Sequence, residues 1–111
     1  MYSVKHANIS AASDGENEIV AAVAGKRIVP ISYALAVSHA TARGTSTFRS
    51  LTSNTDHTTF FSGTDDLDGV AIYSFTGHPK APAFECEVGE ALGINNGSGV
   101  DCAGHITYML R

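Results

Sequence analysis

The sequence predicts an all-β fold: a single-domain, jelly-roll-like β-sandwich of about eight antiparallel strands, spanning residues 1–111. Three observations carry this. Residues 27–39 alternate bulky and small side chains with period two, a pattern that places alternate residues on opposite faces of a strand and fits no helix. Strand-like runs recur roughly every ten residues, punctuated by Gly, Asn, Asp and Ser, as in sandwiches and barrels. Thr, Ser, Val and Ile abound, eleven glycines are present, and no long amphipathic Glu/Lys/Leu stretch exists. A chain of 111 residues is one domain and buries enough surface to fold without a metal or disulfide staple, although oligomerisation would help.

The elements follow in order. Residues 1–10 are either a first strand, over 4–9, or a flexible arm; the polar run Ser13-Asp14-Gly15-Glu16-Asn17 closes it. A strand over 18–23 leads to a turn at Gly25-Lys26, where glycine accepts positive φ without a Cβ clash. Residues 27–39 form the clearest strand. Its odd positions, Val29, Ile31, Tyr33, Leu35 and Val37, are bulky and predict a core face. Its even positions include Ser32, Ala34, Ala36 and Ser38, a flat surface that is neither charged nor greasy. Such a face suits close approach by another sheet or subunit; the alternative is an ordinary exposed strand face. Pro30 lacks a donor for the ladder, so this end of the strand is an edge or contains a bulge. Three shorter strands are expected at 45–51, 58–61 and 70–75, then a Pro-containing loop at 77–82. Residues 82–88 read as a strand, with Phe84, Cys86 and Val88 facing the core and Glu85 and Glu87 facing solvent; a short helix over 86–91 competes with it. Strands at 92–94 and 101–110 finish the sheet. Asn95-Asn96-Gly97-Ser98-Gly99 between them is the strongest hairpin signal in the chain.

Composition excludes several functions. The net charge is −4 and the seven Lys and Arg residues are scattered, whereas nucleic-acid binding needs a basic stripe that displaces counterions. No apolar run approaches the roughly 20 residues that span a bilayer. The N-terminus lacks the apolar core of a secretory signal, which points to synthesis in the cytoplasm. Cys86 and Cys102 both fall on predicted core faces. They read as two small buried hydrophobes, with a disulfide between neighbouring strands as the alternative.

Motifs for chemistry are scarce. His6, His39, His57, His78 and His105 show no H-x-H pair of the kind that binds metal on a β-scaffold, and His105 lies opposite its strand's core face. The acidic run Asp65-Asp66-Leu67-Asp68-Gly69 lacks the spacing of a calcium loop and reads as a solvated loop. No nucleophile elbow, P-loop or dinucleotide fingerprint occurs, and neither cysteine sits beside a basic residue. The reading is therefore of a non-enzyme without cofactor or metal.

Three segments in fixed order carry a resemblance: AGKRI at 24–28, PAFECEVGEAL at 82–92 and GHITY at 104–108. Together they resemble the small all-β virion proteins of tailed bacteriophages. Pro30 departs from the pattern, in which another β-former is usual. The resemblance implies a capsid decoration, or cement, protein: a homotrimer on the outer capsid that bridges copies of the major capsid protein, with no direct nucleic-acid or membrane partner. It makes Gly89-Glu90-Ala91-Leu92 a structural turn; within such a trimer the small face of the strand makes Ser32, Ala34 and Ala36 the expected subunit contact with Tyr33 and Tyr108 as core anchors, and the polar N-terminal segment makes Tyr2, Lys5 and His6 the expected capsid contact. Two alternatives remain. One is a head-fibre or tail component that grips host glycans, although the chain has no Trp and Phe60-Phe61 read as core or interface. The other is a small β-barrel ligand-binding protein or enzyme.

Overall fold

A computed structural model describes residues 3–40, 43–63 and 70–111. Eight strands form two antiparallel four-stranded sheets, and no helix occurs among the described residues. The strands are β1 (Lys5–Ala11), β2 (Gly15–Val20), β3 (Ile28–His39), β4 (Thr45–Ser50), β5 (Thr55–Phe61), β6 (Ala71–Phe75), β7 (Leu92–Asn96) and β8 (Val100–Leu110). One sheet, here sheet A, runs β1-β8-β3-β6; the other, sheet B, runs β2-β7-β4-β5. Strand β1 pairs with β8, β2 with β7, β3 with β6 and β4 with β5, like one long ribbon wrapped around a core from its tip at the β4–β5 turn. Asn54, at φ 57, makes that turn. Tyr73 on β6 donates its hydroxyl to the Phe61 carbonyl on β5, tying the two sheets along one side.

The core lies between the sheets. Ile9, Leu35, Val37 and Ile106 from sheet A meet Phe48, Phe60, Leu92 and Ile94 from sheet B, all nearly free of solvent contact. Tyr33 anchors it as expected, its ring lying 5.3 Å from Phe48 and 5.5 Å from Phe60, edge to face. Tyr108 packs half-buried against the same cluster. Gly104 lets β3 and β8 approach: a Cβ there would lie 2.1 Å from the Ala34 carbonyl oxygen.

The first of the two readings of residues 1–10 has its counterpart in β1, which begins at Lys5, runs on to Ala11 and pairs with β8 at the edge of sheet A. Several expectations change. The alternation along β3 does not hold end to end, because the register shifts between Pro30 and Ser32 and Ile31 has no partner on β8. Pro30 brings the bulge its missing N–H predicts. Beyond it the parity flips, so Val29 and Ile31 join Met109 in a small separate cluster instead of the main core. Residues 82–88 are neither strand nor helix. They run beside the start of β3 as a strap, donating the Ala83, Cys86 and Gly89 amides to the carbonyls of Pro30, Ile28 and Lys26. Phe84 and Cys86 do face the core, but Val88 is half-exposed. The Asn-Gly-rich run after β7 is not a hairpin. It turns at Gly99 (φ 74) and carries the chain from sheet B to sheet A, as Gly25 (φ 74) does between β2 and β3. The acidic run at 65–69 lies outside the described residues.

Candidate interaction face

Because Ile9, Cys102, Ile106, Leu35 and Val37 point into the core, their strand neighbours form the outer face of sheet A. Register places them in rows. Asn8, His105, Ala34 and Ser74 form one row, and Ser10, Ala103, Ala36 and Ile72 the next. His6, Thr107 and Ser32 lie on one side and Asp101 and Ser38 on the other. The expected subunit contact therefore occupies the middle of this face, since β3 is an interior strand. Lys5 and His6, expected as a second and separate contact, open the edge strand β1; His6 is on the same face, its Nδ1 3.0 Å from Thr107 Oγ1. Lys5 is exposed at the strand end, and Tyr2 lies outside the described residues. One expected contact is already used internally, as Ser32 Oγ accepts the Gly77 N–H at 3.2 Å.

This face is flat and nearly uncharged, Asp101 being its one carboxylate among the described residues and none of its described residues being Lys or Arg. Ile72 projects from it, 80% exposed, beside the low shelf of Ala36 and Ala103. A β-branched side chain so placed gains roughly 1.5–3 kcal/mol if covered. The outer face of sheet B differs. Glu16 and Glu18 are exposed on β2, and Arg49 in the middle pairs with Asp56 at 2.6 Å and Glu16 at 3.7 Å. The hydrogen bond to Asp56 raises the Arg49 pKa further, so this guanidinium is a fixed charge. Phe61 stands 63% exposed at the same sheet's edge, paired with Thr45; Phe60 is buried.

One cluster has no counterpart in the sequence reading. His57 Nε2 lies 2.8 Å from Ser50 Oγ, and the imidazole stacks on Phe84 at 4.6 Å between ring centres, 9° from parallel. Ser50 Oγ also accepts the Glu87 N–H at 3.2 Å. Burial lowers the His57 pKa, against the pull of the Glu87, Asp56 and Glu90 carboxylates. A serine hydroxyl beside a histidine is half of an acyl-transfer site, but Ser50 is fully buried and already holds the strap, so no substrate reaches it. Ser50 and His57 face each other across the β4–β5 turn, seven residues apart, and the fold brings Phe84 and Glu87 of the strap to them from far along the chain.

The cysteines are free thiols at the heart of the core. Burial pushes Cys86 up to about 11 and Cys102 up to about 12, which removes the thiolate that reactivity requires. Burial also raises Tyr33. Among the described residues no three His, Cys, Asp or Glu side chains gather as a metal site. Neither a protein-family model nor a curated protein matches this chain.

Proposed function

We propose that this chain is a virion structural protein of a tailed bacteriophage, a capsid decoration protein that acts as a homotrimer through surface contacts and without catalysis. The observation that carries it is the outer face of sheet A: almost uncharged among the described residues, with Asn8, Ser10, Ala103 and His105 exposed, and bearing an exposed isoleucine beside an alanine shelf. On a chain of net charge −4, a face with one carboxylate among its described residues meets little charge repulsion from a second copy. The strand order β1-β8-β3-β6 against β2-β7-β4-β5 supports the jelly-roll reading, with four nested antiparallel pairs wrapped into two sheets. The sequence resemblance supplies the virion setting.

The physics suits a clamp built from several weak contacts. A sheet face roughly 20 Å on a side offers on the order of 400 Å², about half of the ~800 Å² per partner in a standard interface. Closed cyclic symmetry then matters. Three copies cover one another's faces and present three capsid sites at high effective concentration. Such a trimer would bridge major capsid protein subunits and oppose the pressure of packaged DNA. Cryo-electron microscopy of the parent virion tests this. Trimeric knobs on the capsid lattice are expected, and absence of the chain from the particle would overturn the proposal. The exposed Phe61 beside Thr45 favours one second reading, a glycan-gripping tail or fibre component; density at the tail alone would select it.

A further inference from the structure

We propose that residues 83–89 are a strap across one end of the sandwich, latched by His57, and that protonating His57 releases it and uncovers Phe84 and Cys86. The strap is attached on two sides. Along β3 it relies on the backbone bonds of Ala83, Cys86 and Gly89, with Arg27 donating to the Cys86 carbonyl at 3.1 Å. At its outer end Arg111 binds Glu85. Toward sheet B the Phe84 ring lies flat against His57 on one side and packs on Phe48 at 5.3 Å on another, and the Glu87 amide donates to Ser50, which in turn holds His57. Just past the strap Glu90 accepts the Ser53 amide and Ala91 the Leu51 amide, so His57 is the titratable member of the strap's own attachment here.

A neutral imidazole suits this spot because one ring nitrogen donates and the other accepts, so Nε2 can accept a hydrogen bond from the Ser50 hydroxyl. A protonated ring has two donors and no acceptor. Ser50 Oγ would then face both His57 and the Glu87 amide as donors, and its own proton would have to turn toward Cys86, while a charge is held against an aromatic core. Three carboxylates oppose the effect: Asp56 on β5, engaged by Arg49, and Glu87 and Glu90 on the strap side. Burial outweighs them, so the folded-state pKa lies below the ordinary histidine value of 6.5. The sign follows. The latch is at full strength above pH 6.5 and weakens as pH falls toward the folded-state value, by up to about tenfold in the opening constant per pH unit.

The two buried thiols report on it. Cys86 is in the strap, and Cys102, in the middle of sheet A, is an internal control. Modification by 4,4′-dithiodipyridine, which reacts in acid, is followed by mass spectrometry at each cysteine between pH 7.5 and 5. The ratio of Cys86 to Cys102 modification is expected to rise several-fold as pH falls in the wild type, and to stay flat in His57→Phe, which keeps a ring against Phe84 and cannot titrate. A flat wild-type ratio, or the same rise in His57→Phe, overturns the proposal. Should His57→Phe not fold, hydrogen exchange of the wild type decides. After correction for intrinsic pH dependence, the Cys86 and Gly89 amides should gain exchange relative to β8 amides at pH 5, and equal behaviour overturns the latch.

Discussion

Asn96 is the sharpest test of how the two sheets are joined. It ends β7 and is 4% exposed. Its side-chain amide donates to the Ala11 carbonyl at 2.7 Å and the Ser13 carbonyl at 3.2 Å, and its oxygen accepts the Ser46 hydroxyl at 2.5 Å. One residue thus links β7 and β4 of sheet B to the end of β1 in sheet A. Asn96→Ala strips all three bonds. Ser13 is exposed and turns to water, but the Ala11 carbonyl and the fully buried Ser46 hydroxyl lose partners in the interior. Each of these two buried orphans costs about 1–3 kcal/mol, or about 2–6 kcal/mol together, and relaxation around the smaller side chain puts the expected loss in the lower half of that range, about 2–4 kcal/mol. For a domain of this size that is a large part of a total of about 5–15 kcal/mol, and it lowers Tm by roughly 10–25 °C. Urea unfolding with an unchanged m-value is the assay, run on Asn96→Ala, Ser46→Ala and the double variant. The double variant should cost much less than the two singles added, because removing both partners leaves no orphan between them. A loss under about 0.5 kcal/mol for Asn96→Ala, or strict additivity, would refute the network.

Two other consequences can be measured directly. Gly104→Ala places a methyl 2.1 Å from the Ala34 carbonyl oxygen and 2.7 Å from the Leu35 Cα, both backbone, so the central β3–β8 pair must part; a loss of about 3 kcal/mol or more by denaturant unfolding is expected, and a change under 1 kcal/mol would contradict the close approach. Cys86 and Cys102, with their pKa values pushed up to about 11 and about 12, should resist iodoacetamide at pH 8 and react only on adding denaturant; stoichiometric alkylation of the native protein would show the core is open.

What could be read from the sequence was whatever depends on near neighbours. Alternation in β3 revealed the strand and its small outer face, and the missing donor of Pro30 announced the bulge. The consequence of the bulge was not legible. One unpaired residue reverses which side chains face the core, so Val29 and Ile31 left a face that simple alternation assigns to them. The Asn-Gly run after β7 has turn chemistry whether the flanking strands pair or part, and here they belong to different sheets. The alternation of Phe84, Cys86 and Val88 looked like a strand, yet the strap bonds to β3 only at every third residue and Val88 turns out to solvent. His57 gave no local sign, because Phe84 and Glu87 reach it only through tertiary packing, and Ser50, seven residues before it, meets it only in the register of the β4–β5 pair. That His6 shares an outer face with Ser32, Ala34 and Ala36 was not legible either, because it needs the register of β1, β8 and β3.

The claim that the outer face of sheet A is where this protein meets copies of itself is tested most directly by molar mass in solution. Light scattering on the wild type should give three times the 11.6 kDa of one chain. Ala36→Arg, which sets a charge in the middle of the exposed face, should give a folded monomer with an unchanged β-sheet circular dichroism spectrum. A monomeric wild type at tens of micromolar would contradict the homotrimer itself, and a trimer that survives Ala36→Arg intact would contradict the face assigned to it.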